Sequence, residues 1–122
     1  MNIPEKITAE ILQKIGFFIK PFKELSQCDA INTIYSQFKL DRFYLDFALP
    51  KQKIAIEVNG CYYHPSNSTL TTKQIEQKLK HNIRNQYLFY SKWEPIYLTE
   101  LFLQNNNCHK ILLKFIFNLI EV

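Results

Sequence analysis

The sequence predicts one α/β domain over residues 1–122, built on a mixed β-sheet of three to four strands flanked by helices. Three observations carry this. Apolar residues recur at helical spacing near the N-terminus and again between Thr72 and Tyr90. Between Phe43 and Asn59 the spacing changes to the two-residue period of strands. The resulting order of strand, strand, helix, strand requires a crossover and therefore a parallel pair beside an antiparallel one.

The elements follow in chain order. Ile7, Ile11, Leu12, Ile15 and Phe18 fall three and four residues apart, which predicts a helix from Thr8 to Lys20, ended by Pro21. A second helix is predicted over Glu24 to Tyr35. Phe38 to Asn59 reads as strands. In Phe43–Leu49 the odd positions are large and apolar, and the even ones are Tyr44, Asp46 and Ala48. In Lys53–Asn59, Ile54, Ile56 and Val58 share one face, while Ala55, Glu57 and Asn59 share the other. Gly60 lets the chain leave the sheet into a loop through Cys61 and His64. Thr72 to Tyr90 is predicted as a helix with Ile75, Leu79, Ile83 and Tyr87 every four residues, and with Lys73, Lys78, Lys80, His81 and Arg84 on its other faces. Trp93 to Leu98 is a short strand, and Pro95 suits it to an edge. Trp93 itself is assigned to the core. The apolar residues of 111–120 surround most of a helix, which predicts burial within the domain or against a protein partner or second copy.

Composition bounds the function. Fifteen Lys and Arg against eleven Asp and Glu give a net charge of +4, which suits a nucleic-acid partner and is shared by many inert domains. Ten Phe and seven Tyr supply core bulk and rings able to stack on bases. Three cysteines without a C-x-x-C pair argue against a disulfide framework and for an intracellular setting, such as bacterial or phage cytoplasm or an organelle matrix. No membrane partner is expected: Lys114 and Asn118 interrupt the most apolar stretch, and Glu5 and Lys6 interrupt the start. Two glycines leave no Gly-rich phosphate loop.

The hairpin carries the candidate chemistry. If Lys51 and Gln52 form a two-residue turn, residue 50 pairs with 53, and Asp46 lies opposite Glu57. Facing carboxylates repel, and a cation bound to both removes the repulsion. A one-residue slip in register would instead keep the two apart.

The run FYLDFALPKQKIAIEVNGCYYH, residues 43–64, resembles the core of very-short-patch-repair endonucleases within the PD-(D/E)XK nuclease superfamily. There an Asp-Phe strand precedes an Ile-Glu-x-(Asp/Asn)-Gly strand end and a nearby His. TAEIL at Thr8–Leu12 is similar to the family's N-terminal helix, and RNQYLFYSKWEPIYL to its basic helix and last strand. The resemblance implies a restriction-endonuclease-like core and a metal-dependent DNA endonuclease. Mg²⁺ or Mn²⁺ would be held by Asp46, Glu57 and the Val58 carbonyl. His64 would contact phosphate or move a proton, Glu10 would hold a water beside the ion, and Arg84 would grip a phosphate oxygen. Lys80, Lys73 and Tyr63 complete the implied nucleic-acid surface. Asn59 stands where the superfamily often places Lys and the patch-repair enzymes His; Asn carries no charge and cannot act as a base, which puts catalysis in question. Of the structural zinc ligands of those enzymes only Cys61 is kept, so no zinc is expected. RAP domains resemble the same core and strand end. That likeness implies a non-catalytic RNA-binding module, possibly a subunit of an organellar ribonucleoprotein. A third reading is a subunit that uses the fold for its surfaces alone.

Overall fold

A computed structural model describes residues 2–59 and 72–120. The first helix, α1, runs Ile3–Lys14. It starts five residues before the predicted Thr8 because Asn2 caps it. The Asn2 side chain accepts a hydrogen bond from the Glu5 N–H at 2.9 Å, and Pro4 sits in the first turn. It ends short of the predicted Lys20 at Gly16, whose φ of +112° lets the Phe17 N–H fold back to the Leu12 carbonyl. Phe18–Pro21 is then strand β1. A 3-10 turn at Phe22–Glu24 follows, and strand β2 already begins at Thr33 and runs to Leu40. The predicted helix over Glu24–Tyr35 is therefore absent. Thr33, Ile34 and Tyr35 are β-branched or aromatic and pair in the sheet.

Strands β3 (Phe43–Leu49) and β4 (Ile54–Asn59) form the predicted hairpin. Helix α2 spans Thr72–Tyr90, as the periodicity predicts, and leads to β5 at Glu94–Thr99. Helices α3 (Glu100–Leu103) and α4 (Cys108–Ile120) close the described chain. The strands lie in the order β1-β2-β3-β4-β5, one more strand than the predicted upper limit. The outer pairs are parallel and the inner two antiparallel. The extra strand is β1, hidden in sequence by its continuity with the helical pattern. As Pro95 suggested, β5 is an edge.

Each face of the sheet has its own core. Phe47, Leu49, Ile54, Ile56, Ile96 and Leu98 pack against Leu12 of α1, Leu103 of α3 and Leu112 and Ile116 of α4. On the other face Tyr35, Phe38, Leu45, Ala48, Ala55 and Trp93 pack with Leu88 of α2. Trp93 is a core residue, its ring 5.9 Å from that of Phe38. Truncating a fully buried ring such as Phe47 to Ala should cost about 3–5 kcal/mol.

Two patterns depart from expectation. The stripe Ile75, Leu79 and Ile83 of α2 is exposed, and Leu88 is the buried apolar anchor instead. The face of α2 turned to the sheet carries Arg84 and Asn85, polar residues with partners there. On α4, Leu112 and Ile116 are buried while Ile111, Phe115 and Phe117 are exposed. No helix among the described residues is long and apolar enough to cross a membrane.

Candidate active site

The site begins where the β3–β4 ladder stops. Leu49 pairs with Ile54, Ala48 with Ala55 and Phe47 with Ile56, and the next pair in this register is Asp46 with Glu57. There side chains replace the backbone ladder. Oδ2 of Asp46 accepts the Val58 N–H at 2.8 Å, and the Asp46 N–H points at Oε2 of Glu57 at 3.5 Å. The second distance is too long for a strong bond. On the other side of Asp46 the β2–β3 pairing passes over Gln37, whose φ is +51°. Asp46 therefore stands at an irregularity on both of its neighbours. One consequence is a reset of alternation. Leu45 joins Ala48 in the core beneath α2, whereas Phe47 lies on the opposite face. The regular odd–even pattern expected over Phe43–Leu49 is broken at the candidate residue.

Glu57 is fully buried, on the α2 side of the sheet. Its Oε2 lies 3.7 Å from Nη1 of Arg84, an ion pair rather than a hydrogen bond. Its Oε1 has no hydrogen-bond partner among the described residues. Burial drives the Glu57 carboxyl up to about 8; Arg84 opposes this, and the nearby Asp46 charge adds to it. An isolated buried carboxylate is costly, so the group either keeps a proton or takes a cation.

Neighbours complete the shell. In the parallel β4–β5 pair Glu57 is in register with Tyr97, which puts both on one face. The Tyr97 hydroxyl donates to Oδ1 of Asn85, the residue after Arg84. Burial and the Glu57 charge hold the Tyr97 phenol above its ordinary range. From α1, the Glu5 carboxyl is raised by burial and then by the charge of Asp46. Glu5 falls on the same helix stripe as buried Thr8 and Leu12.

The predicted residues divide as follows. Asp46, Glu57 and Arg84 are brought together, and Val58 joins them through its amide. Glu10 is exposed on α1, about 140° around the axis from Glu5. The α1 carboxylate whose charge reaches Asp46 is thus Glu5, and the TAEIL likeness pointed to the wrong turn of the helix. Lys80 is exposed one turn before Arg84. Asn59 ends β4 and Lys73 lies in the first turn of α2, each described by its backbone alone. Tyr63 and His64 lie outside the described residues, as does Cys61. Sequence reasoning missed Glu5, Asn85 and Tyr97. For Tyr97 a signal existed: in a parallel pair, the residue in register with Glu57 shares its face.

A cation would fit the unsatisfied oxygen of Glu57 beside Asp46, since hard oxygen donors suit Mg²⁺. Among the described residues no group of three or more His, Cys, Asp and Glu side chains gathers at one point, so this part of the chain offers two carboxylates and main-chain oxygens. No family model matches the chain, and no curated protein or solved structure matches it.

Proposed function

We propose that the chain is a divalent-metal-dependent endonuclease that hydrolyses DNA phosphodiester bonds, similar in mechanism to very-short-patch-repair enzymes. One observation carries the reading: a fully buried Glu57 with an oxygen lacking a hydrogen-bond partner among the described residues, set beside Asp46 and facing Arg84. A carboxylate whose job is structural has its oxygens filled. This one is left open toward a second carboxylate and a guanidinium, the complement of a cation and a phosphate.

In this reading Asp46, Glu57 and the Val58 carbonyl hold Mg²⁺ or Mn²⁺, which supplies Lewis-acid polarisation of the phosphate and activation of a water. Asp46 is oriented by the Val58 N–H, which fixes one oxygen and leaves the other to the ligand. Glu57 is held in a dry position where its charge acts at low dielectric. Arg84 lies between buried Glu57 and solvent and meets a phosphate oxygen from inside. Lys80, one turn away, adds positive potential along the approaching backbone. His64 is the proposed proton mover and Tyr63 a stacking ring.

The test is cleavage of plasmid and oligonucleotide DNA with Mg²⁺ or Mn²⁺ by purified protein. Activity lost in Asp46→Ala supports the proposal. Intact RNA binding, with no cleavage of DNA or RNA under either ion, transfers the reading to an RNA-binding module similar to RAP domains. One observation favours that second reading: Arg84, together with a retained proton, already balances Glu57 without a metal.

A further inference from the structure

We propose that Arg84 is the resident counter-cation of this site: it occupies Glu57 while no divalent ion is bound and turns to an incoming phosphate when the ion takes the carboxylate, so that metal and nucleic acid bind cooperatively. This rests on the metal-dependent reading above and adds to it a coupling between the two ligands.

The geometry supports an exchangeable contact. Nη1 of Arg84 stands 3.7 Å from Oε2 of Glu57, close enough to neutralise it and too far for the short bidentate fork of a locked pair. Glu57 is fully enclosed, whereas the Arg84 side chain keeps 21% of its surface exposed. The guanidinium therefore borders both the carboxylate and solvent, and can change partner by rotating its end groups. The base of the side chain is steadied next door, where Asn85 accepts the Tyr97 hydroxyl across to β5. A rotation at the tip then leaves α2 in place.

Charge decides the direction of exchange. A divalent ion on Glu57 and Asp46 repels a guanidinium held a few ångströms away. Arg84 accordingly opposes metal binding in the free protein. Once displaced, it is a buried-side cation in need of an anion, and a phosphate oxygen at the mouth of the site provides one. The metal thus raises phosphate affinity, and by reciprocity phosphate raises metal affinity by the same factor.

The experiment uses Ca²⁺ alone and a fluorescent 16-base-pair DNA, with calorimetry for the ion and anisotropy for the DNA. In the unaltered protein Ca²⁺ should strengthen DNA binding by about tenfold or more. Arg84→Gln should bind Ca²⁺ several-fold more tightly than the unaltered protein, because the competitor is gone. Its DNA affinity should then change by less than about threefold on adding Ca²⁺. Circular dichroism checks its fold. Arg84→Lys, which keeps the charge, serves if the glutamine variant does not fold, and should retain the weaker Ca²⁺ binding. Unchanged or weaker Ca²⁺ binding by Arg84→Gln, or an intact coupling in it, overturns the exchange while leaving the metal site standing. An unaltered protein that binds no Ca²⁺ overturns both the metal-dependent reading and this coupling, and the calorimetry alone separates that case.

Discussion

Two carboxylates in this molecule have opposite surroundings. Asp29, in the segment between β1 and β2, is saturated. Its Oδ1 meets Nζ of Lys20 at 2.7 Å, and its Oδ2 accepts from the Tyr35 hydroxyl at 2.5 Å and the Ser26 N–H at 2.8 Å. These bonds, Lys20 first, hold its carboxyl down at about 2. Glu57 is deeper, has an oxygen without a hydrogen-bond partner among the described residues, and is pushed up to about 8. Hydrogen bonds to a charged form lower a carboxyl; burial without enough of them raises it. Asp29 is thus a clasp tying the loop to β1 and β2, and its chemistry is spent. Glu57 has capacity left over, which is what a ligand site requires.

The largest effect expected from this contrast is on activity. Asp46→Ala should lower DNA cleavage by about three orders of magnitude or more, since a lost ligand removes both charge stabilisation and water activation. Asp29→Ala, also a lost carboxylate, should leave kcat/KM within about twofold. Equal losses in both variants would erase the distinction between clasp and site.

The next effect is on stability against pH. The Glu57 carboxyl lies above its unfolded value of 4.5, at about 8. Its protonated form therefore favours folding: the contribution is fully present below pH 4.5 and is lost as pH rises to 8. Urea unfolding without divalent ions should show the protein losing roughly 3 kcal/mol more than Glu57→Gln between pH 5 and pH 8.5. Added Mg²⁺ should restore stability at the alkaline end, because a bound cation takes the proton's place. Parallel curves for the two proteins would mean that the buried oxygens are satisfied after all.

Arg84→Ala should act more modestly. If its guanidinium reaches one phosphate, DNA affinity falls and the slope of log affinity against log salt flattens by up to about one unit. Filter binding between low and moderate salt measures this. A slope that does not move would make Arg84 a counter-ion to Glu57 and nothing more.

The parts of the fold legible in sequence are those fixed by local rules. Alternation assigned Glu57 a face, and the short link Pro50–Gln52 set the register that brings Asp46 opposite it. Helical spacing gave α2 its ends, but not its inward face, because the residues turned to the sheet at Arg84 and Asn85 are polar and an apolar stripe points outward. What stayed hidden depends on tertiary partners. β1 is four residues long and is a strand through its pairing with Thr33–Ser36. The Gln37 distortion that resets alternation at Asp46 carries no turn signature. Choosing Glu5 over Glu10 required the start of α1, and that start was written in Asn2 and Pro4, a capping signal passed over in favour of the later apolar spacing.

The smallest effect belongs to the clasp. The Tyr35 phenol is held up at about 12, by burial first and then by its bond to Asp29 and the charge there. Asp29→Asn removes the charge and keeps the shape, so the Tyr35 pKa should fall part of the way toward 10 and stop short of it, because burial remains. Site-selective ¹³C labelling of tyrosine followed through an alkaline titration would resolve this ring from the other six. The same variant should speed hydrogen exchange at the Ser26 amide, whose acceptor is weakened. Lys20 loses its ion partner but keeps much of its exposure to water, so β1 should remain paired with β2. A Tyr35 pKa that does not move would show that burial alone sets it, and the Asp29 bond would then be a contact without consequence for either ring or loop.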